Sequence, residues 1–430
     1  MITNIILLVL AALEMFFLVW NIKEKRTHLR WKGIARLGLA AVLTVLMIVG
    51  VLEGLSRYAG IILALTVLGI VSFISLRVKG ERDIKVSGSV LRAVGSGLLY
   101  TAVMLLAILF PQYKAIVPTG DLNVQTSLYT WTDESRVETY ADTGEKRKVT
   151  VQMYYPEAAG QYPLAVFSHG AASMIESNDS TCRELASHGY VVAAVAHPYH
   201  AIFVEDTDGN VTTIDTEFMR LATGGTIGMS SQELLAIYQD WMSVRTGDMN
   251  FVLDTILAKA AKREEGAFER IDPEHIGLFG HSMGGATCEA VGRQREDIDA
   301  VIVLEGTVLG DYVGCDGDRL LFNTEPYPLP LLDVNSDFLL TNLAKDYHNT
   351  DEYINFYVVK HGVDAREVTL KDAAHMNFCD LPLVSPPLAA MFGTGKRDPR
   401  ECIQTVNEMV LEYFNYYLKD SGNLALADEY

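Results

Sequence analysis

The chain has 430 residues, 49% hydrophobic and 21% charged, which excludes a disordered or collagen-like protein and points to one large core with an appendage. Its 35 basic and 54 acidic side chains give a formal net charge of −19, a field that repels phosphate backbones and argues against a nucleic-acid partner. The charge is divided unevenly: the first 112 residues carry 12 basic and 5 acidic side chains, a net of +7, and the remaining 318 carry 23 and 49, a net of −26.

The basic part reads as membrane. Ile5–Trp20, Ile34–Val51, Ala59–Leu76 and Ala93–Phe110 are four apolar stretches near the length that crosses a hydrocarbon core about 30 Å thick. Glu14 and Arg36 interrupt the pattern, and Glu14 is costly there unless it faces the bundle or is protonated. A cleaved signal peptide fits poorly, because the start lacks a basic region and three later stretches would remain. Lys23, Lys25, Arg26, Arg30 and Lys32 follow the first stretch, and Arg77, Lys79, Arg82 and Lys85 follow the third, whereas the second link offers Arg57 alone. Positive-inside counting puts those two links in the cytoplasm and the acidic part outside, as part of a multi-pass protein of the cell membrane. The expected organisation is a transmembrane region over 1–112, a connector with an early strand over 113–147 and a catalytic domain over 148–430.

The acidic part alternates strands and helices. Lys148–Tyr155, Leu164–Phe167, Val191–Val195, Ile276–Phe279, Ala300–Leu304, Leu331–Val334 and Ile354–Val359 read as strands. Thr181–Ser187, Ser231–Leu257 and Ser282–Arg293 read as intervening helices, and Glu401–Tyr417 as an amphipathic terminal one. Gly247 predicts a break within Gln232–Lys262. Short apolar strands between longer helical stretches indicate an α/β fold with a mainly parallel sheet covered on both faces. The polar stretch 202–228 exceeds an ordinary connection and is expected to cover a site.

The chemical signal is Gly280-x-Ser282-x-Gly284, placed between a strand and a helical run. A tight strand-to-helix turn leaves such a serine hydroxyl above the sheet, and the new helix aims N–H groups at a developing oxyanion. His375, in a late loop, is the expected base, and the order serine, acid, histidine suits this elbow. His281 is expected to point away along the turn. Glu305, closing one strand, and Asp337, following the next, both qualify as the acid that orients the imidazole. Residues alone leave that choice open. The turn Ser168-His169-Gly170-Ala171 can present the N–H of Ala171 beside that of Met283 as an oxyanion hole.

These motifs resemble the plasma-type platelet-activating-factor acetylhydrolases and their bacterial relatives, within the α/β-hydrolase fold. The resemblance covers roughly Val149–Leu418 and is carried by six segments. They are Val151-Gln152-Met153-Tyr154-Tyr155-Pro156, Phe167-Ser168-His169-Gly170, the run from Leu185 to Val195 with its Ser187-His188-Gly189 turn, Gly280-His281-Ser282-Met283-Gly284-Gly285-Ala286-Thr287, Asn335-Ser336-Asp337 and His375-Met376-Asn377-Phe378-Cys379-Asp380. It implies a triad acid just after the strand that follows the serine helix, which is Glu305 here where the family has aspartate, with Asp337 in reserve. It also implies acyl transfer to water on short-acyl or amphiphilic lipid esters through an acyl-enzyme, without metal or cofactor.

Three other constellations read as structural. His197-Pro198-Tyr199-His200 reads as loop histidines rather than a metal site, and Asp206-x-Asp208-Gly209 fails as a calcium loop at its first ligand. Arg245-x-x-Asp248 reads as an ion pair on a helix surface. Cys182, Cys288, Cys315, Cys379 and Cys402 are odd in number and lack a CxxC pair, so no bridge or metal site is assigned. A membrane-anchored binding or sensor module retaining a hydrolase scaffold is the alternative function, kept open by the Glu305 departure.

Overall fold

The computed structural model describes residues 2–48, 55–83, 85–111, 114–343 and 353–430. The end of the stretch read as Ile34–Val51 and the boundary at Gln112 lie outside these residues. The chain divides into two compact units, Met1–Lys114 with Leu383–Leu388, and Ala115–Pro382 with Ala389–Tyr430.

In the first unit, helices α1 (Ile2–Glu24), α2 (Leu29–Ile48), α3 (Leu55–Lys79) and α4 (Val86–Leu109) are each long and apolar enough to cross a membrane. Leu8, Ile48 and Leu91 turn outward, while Leu10, Leu43, Ile61 and Met104 meet in a core. Glu14 faces the bundle. Its carboxylate accepts hydrogen bonds from Lys32 Nζ at 2.6 Å and Arg36 Nη2 at 2.7 Å, both on α2, and from Tyr100 Oη of α4 at 3.3 Å. Arg36 also donates to Ser96 Oγ of α4 and Ser72 Oγ of α3. Every helix therefore contributes to one buried polar cluster, which meets the condition that makes an acid tolerable among apolar helices.

The second unit is built on an eight-stranded sheet. Its strands are β1 (Val124–Val137), β2 (Lys146–Pro156), β3 (Tyr162–Ser168), β4 (Val191–Val195), β5 (Ile271–His281), β6 (Ala300–Leu304), β7 (Pro330–Ser336) and β8 (Asp364–Leu370). They lie in the order β1-β2-β4-β3-β5-β6-β7-β8. All neighbours from β4 to β8 run parallel, whereas β1 and β2 join antiparallel. Alternation along each strand splits the core. Val149, Val151, Leu164, Val166, Val301 and Val303 face one cluster with α6 (Ser231–Ala261) and α7 (Met283–Gln294). Ala165, Phe167, Val192, Ala194, Ile302 and Leu304 face the other with α5 (Asp179–Ser187).

Two expectations fail for identifiable reasons. Ile354–Val359 is not a strand but begins helix α8 (Ile354–His361), whose Ile354 and Val358, four apart, enter the core; a short apolar run does not distinguish the two periods. The place beside β7 in the sheet is taken instead by β8. Gly247 does not break α6, which continues through it: a Cβ there would lie 2.5 Å from Arg136 Nη1, so the glycine makes room for a side chain. The terminal helix α9 (Pro399–Lys419) starts as its sequence suggests, with Asp398 capping the N–H groups of Arg400 and Glu401 and Pro399 at the first turn.

Candidate active site

β3 runs beside both β4 and β5, so the direction of the chain across the sheet reverses there, where parallel sheets open a crevice at their carboxyl ends. The loop after β3 carries His169, Gly170 and Ala171, and the turn after β5 carries Ser282. Ser168 is in register with Gly280, which brings the two loops together.

Ser282 has φ +56° and ψ −127°, a conformation that costs a non-glycine residue about 1–3 kcal/mol. Neighbours hold it there: its N–H donates to Leu304 O at 2.8 Å, and its carbonyl accepts from Gly285 N at 2.9 Å. Gly284 is demanded by crowding, since a Cβ on it would sit 1.9 Å from Ser168 O. Among the described residues no protein acceptor takes the backbone N–H of Met283, at the start of α7, or that of Ala171.

His375 opens a short 3-10 turn whose geometry is set by Asn377. The buried Asn377 Oδ1 accepts from Ala374 N at 3.0 Å and Gly395 N at 2.7 Å. Two residues beyond that turn, Asp380 accepts from Ser180 N and Oγ and ties the segment to α5. Burial pushes the His375 imidazole down to about 4, so it is neutral at pH 7. His281 does not simply point away: its Nε2 lies 3.0 Å from the carbonyl oxygen of His375, and the two rings stand 4.8 Å apart.

Glu305 also adopts a positive φ, +50°, directly after β6, and its N–H bonds Val334 O on β7. Its carboxylate is gripped by Ser336, whose Oγ donates at 2.6 Å to one oxygen and whose N–H donates to the other. Burial raises the carboxyl to about 7, with the Ser336 bonds opposing the rise. Asp337 follows one residue later and is half-buried. Among the described residues no hydrogen bond joins the His375 ring to Ser282, Glu305 or Asp337.

A cavity of about 370 Å³ gathers most of these groups: Ser282, Met283, Ala171, His375 and Glu305 line it. Leu221, Ala222 and Thr226 supply one wall, so the long polar connection does cover the site, and Tyr238 and Trp241 of α6 add aromatic surface. Asp337 is not on the wall, although Phe338 and Leu339 are. No cluster of three metal-ligating side chains occurs among the described residues.

Sequence reasoning missed the support beneath the cavity. Arg245 and Asp248 are not a surface pair: both are fully buried. Asp248 accepts from Arg147 at 2.7 Å, Arg136 at 2.9 Å and His197 Nδ1 at 3.0 Å, while His197 Nε2 faces Ser168 Oγ at 2.9 Å. Arg245 donates to His169 O at 2.6 Å, Gly170 O at 3.2 Å and His200 Nδ1 at 3.2 Å. The histidines of the His197–His200 loop thus serve the core. Their signal was present, since two histidines and an i,i+3 Arg/Asp pair flank the site in sequence, but a buried and an exposed pair share that spacing.

The family model described as Platelet-activating factor acetylhydrolase, isoform II, matches residues 136–210 and 243–426, well over half of the chain. The platelet-activating factor acetylhydrolase of Cavia porcellus is 23% identical over 292 residues, covering 63% of this chain and 61% of that protein. The one from Gallus gallus is 24% identical, covering 60% and 62%. A probable 1-alkyl-2-acetylglycerophosphocholine esterase of Arthroderma benhamiae is 27% identical over 35% of this chain and 33% of its own. The chain spans about three fifths of the length of the animal relatives it matches. Among solved structures, a ferulic acid esterase from Streptomyces cinnamoneus shares the fold at TM-score 0.56 and 21% identity, covering 72% of this chain and 95% of that one. With the matched segments enclosing both strands at the reversal, the serine turn and the His375 loop, the chain belongs to the platelet-activating factor acetylhydrolase, isoform II, family.

Proposed function

We propose that this chain is a serine carboxylic-ester hydrolase for short-acyl or amphiphilic lipid esters. The observation that carries the reading is one cavity shared by a strained serine, a neutral histidine and two N–H groups without protein acceptors. Ser282 Oγ forms a bond to the ester carbonyl carbon while its proton passes to the His375 imidazole, and the carbonyl π pair becomes an oxyanion facing the N–H groups of Ala171 and Met283. Collapse expels the alcohol, which takes the proton from His375. Water, deprotonated by the same imidazole, then adds to the acyl carbon, and collapse breaks its bond to Ser282 Oγ, which takes the proton back from His375 as the acid leaves.

Glu305 is the proposed acid, with Asp337 in reserve. Support comes from the cavity wall, which includes Glu305 together with Ser282 and His375. The Glu305 carboxylate accepts one bond from Ser336 on each oxygen, which leaves it further acceptor sites for the imidazole N–H of His375. A volume of about 370 Å³ lies at the small end of ligand sites and favours a short acyl group, in keeping with the acetyl esters named for the relatives. The four apolar helices serve in this reading as a membrane anchor over 1–112, with 113–147 as connector and 148–430 as an extracytoplasmic catalytic domain.

The absence of a bond from His375 to a carboxylate among the described residues favours one second reading, a membrane-anchored sensor on a hydrolase scaffold. An ester panel from acetyl to long-chain, including a short-acyl phospholipid, separates the two when run on full-length protein in detergent with S282A, E305A and D337A. Turnover lost in S282A and reduced about 10²- to 10⁴-fold in E305A is the expected result. Loss in D337A with E305A active moves the acid, and a folded wild type without turnover on any ester supports the sensor.

A further inference from the structure

We propose that Arg245 is a positioning residue for acyl transfer: its guanidinium, fixed behind the loop after β3, aims the Ala171 N–H into the cavity and strengthens it as an oxyanion donor. The inference rests on the Ser282 reaction proposed above. It begins from one peptide plane. In a trans peptide the C=O and N–H point in opposite directions, so whatever holds the oxygen of Gly170 also directs the N–H of Ala171.

Two donors hold that oxygen. Arg245 Nη2 lies 3.2 Å from Gly170 O and His169 Nδ1 lies 2.7 Å from it. The His169 tautomer follows from its other nitrogen, because Nε2 accepts the N–H of His197 at 3.2 Å and the ring proton must therefore sit on Nδ1. Arg245 Nη1 fixes the preceding peptide through His169 O at 2.6 Å, and Ala172 N bonds His200 O at 2.9 Å on the far side. The plane between Gly170 and Ala171 is thus tied on both flanks, with Ala171 on the cavity wall.

The charge is as informative as the geometry. Arg245 is fully buried, and among the described residues it makes no ion pair. Asp248, three residues on, is already engaged by Arg147, Arg136 and His197. Burial draws Arg245 down to about 9, which leaves it charged at neutral pH. A buried cation bonded directly to two carbonyls and a neutral imidazole is an expensive arrangement in a resting core. The Asp248 carboxylate offsets part of that charge through space, and more is offset when negative charge develops on an oxygen across the Ala171 peptide. In low dielectric that attraction reaches beyond direct contact, and a charged donor on Gly170 O polarises the N–H of the same peptide. The substrate carbonyl is neutral before attack, so the gain falls on the transition state and on kcat.

The test uses full-length protein in detergent and compares R245M and R245K with wild type, on p-nitrophenyl acetate turnover and on inhibition by a trifluoromethyl ketone, which adds a serine oxygen to give a tetrahedral oxyanion. Thermal melting reports whether each variant folds. R245M is expected to lower kcat about 10- to 100-fold, below the 10²- to 10³-fold typical of losing an oxyanion donor outright, with KM within threefold. The ketone's inhibition constant weakens by the same factor, and R245K, which keeps the charge, recovers part of both losses. If R245M does not fold, R245K alone decides, with a smaller parallel loss in kcat and ketone affinity. Folded variants with both quantities unchanged, or with only KM altered, overturn the proposal. If S282A retains wild-type turnover, the Ser282 reading itself has failed. An active wild type and a dead S282A beside unaffected Arg245 variants refute this inference alone.

Discussion

Two serine–histidine–carboxylate sets stand close to the same sheet reversal, and they are opposites. Ser168, His197 and Asp248 are linked at 2.9 and 3.0 Å, with the Ser168 hydroxyl donating to Nε2 and Nδ1–H donating to the carboxylate, yet all three side chains are fully buried. Ser282, His375 and Glu305 lack those links among the described residues but share a cavity of about 370 Å³, and Ser282 is held at a positive φ. The contrast teaches that bond distances alone do not identify a nucleophile. A satisfied buried network stabilises a core, whereas access, strained presentation and uncommitted N–H groups mark where a substrate can be met.

The contrast is broken first by exchanging the serines' fates. S282A is expected to reduce ester turnover by about 10⁴-fold or more, while S168A keeps kcat and KM within threefold; steady-state kinetics on both variants would reverse the assignment if S168A were the inactive one. Next in size is D248N. It leaves Arg147 and Arg136 facing a neutral amide in the core and is expected to cost about 3–5 kcal/mol by denaturant unfolding. An unchanged midpoint would mean that the buried set does not support the fold. S168A itself strips the partner from His197 Nε2 and should cost about 1–3 kcal/mol in the same assay.

The last effect concerns Glu305 and shrinks to the smallest of the set at low pH. Its carboxyl, about 7 in the folded protein against an ordinary 4.5, binds its proton more tightly when folded. That contribution to stability is fully present below about pH 4.5 and is lost as pH rises through 7. E305Q, neutral throughout, should therefore exceed wild type in stability by about 3 kcal/mol at pH 8 and by less than about 1 kcal/mol at pH 5. A gain at pH 5 that disappears at pH 8 would show that the carboxylate is favoured in the fold.

The parts of this arrangement that were legible in the sequence are those with local causes. The elbow at Ser282 is written in adjacent glycines, the α9 start in Asp398-Pro399, and the four apolar helices in their length. The late loop with His375 was legible through chain order. What escaped depends on tertiary placement. Arg245 and Asp248 carry the spacing of an exposed helical pair, and their burial is decided by β2 delivering Arg147 and by the loop from His197 to His200 folding over α6. Ile354–Val359 carries too few residues to reveal its period. The grip of Ser336 on Glu305 follows from the parallel register of β6 and β7, where Leu304 faces Val334, a pairing that no single strand announces.

The most direct measurement is covalent trapping. Full-length protein treated with a fluorophosphonate, digested and mapped by mass spectrometry is predicted to carry one adduct, on Ser282, with turnover lost in proportion to labelling and no label on S282A. An adduct on Ser168 or another serine that tracks inactivation, or full labelling of Ser282 with turnover intact, would contradict the account.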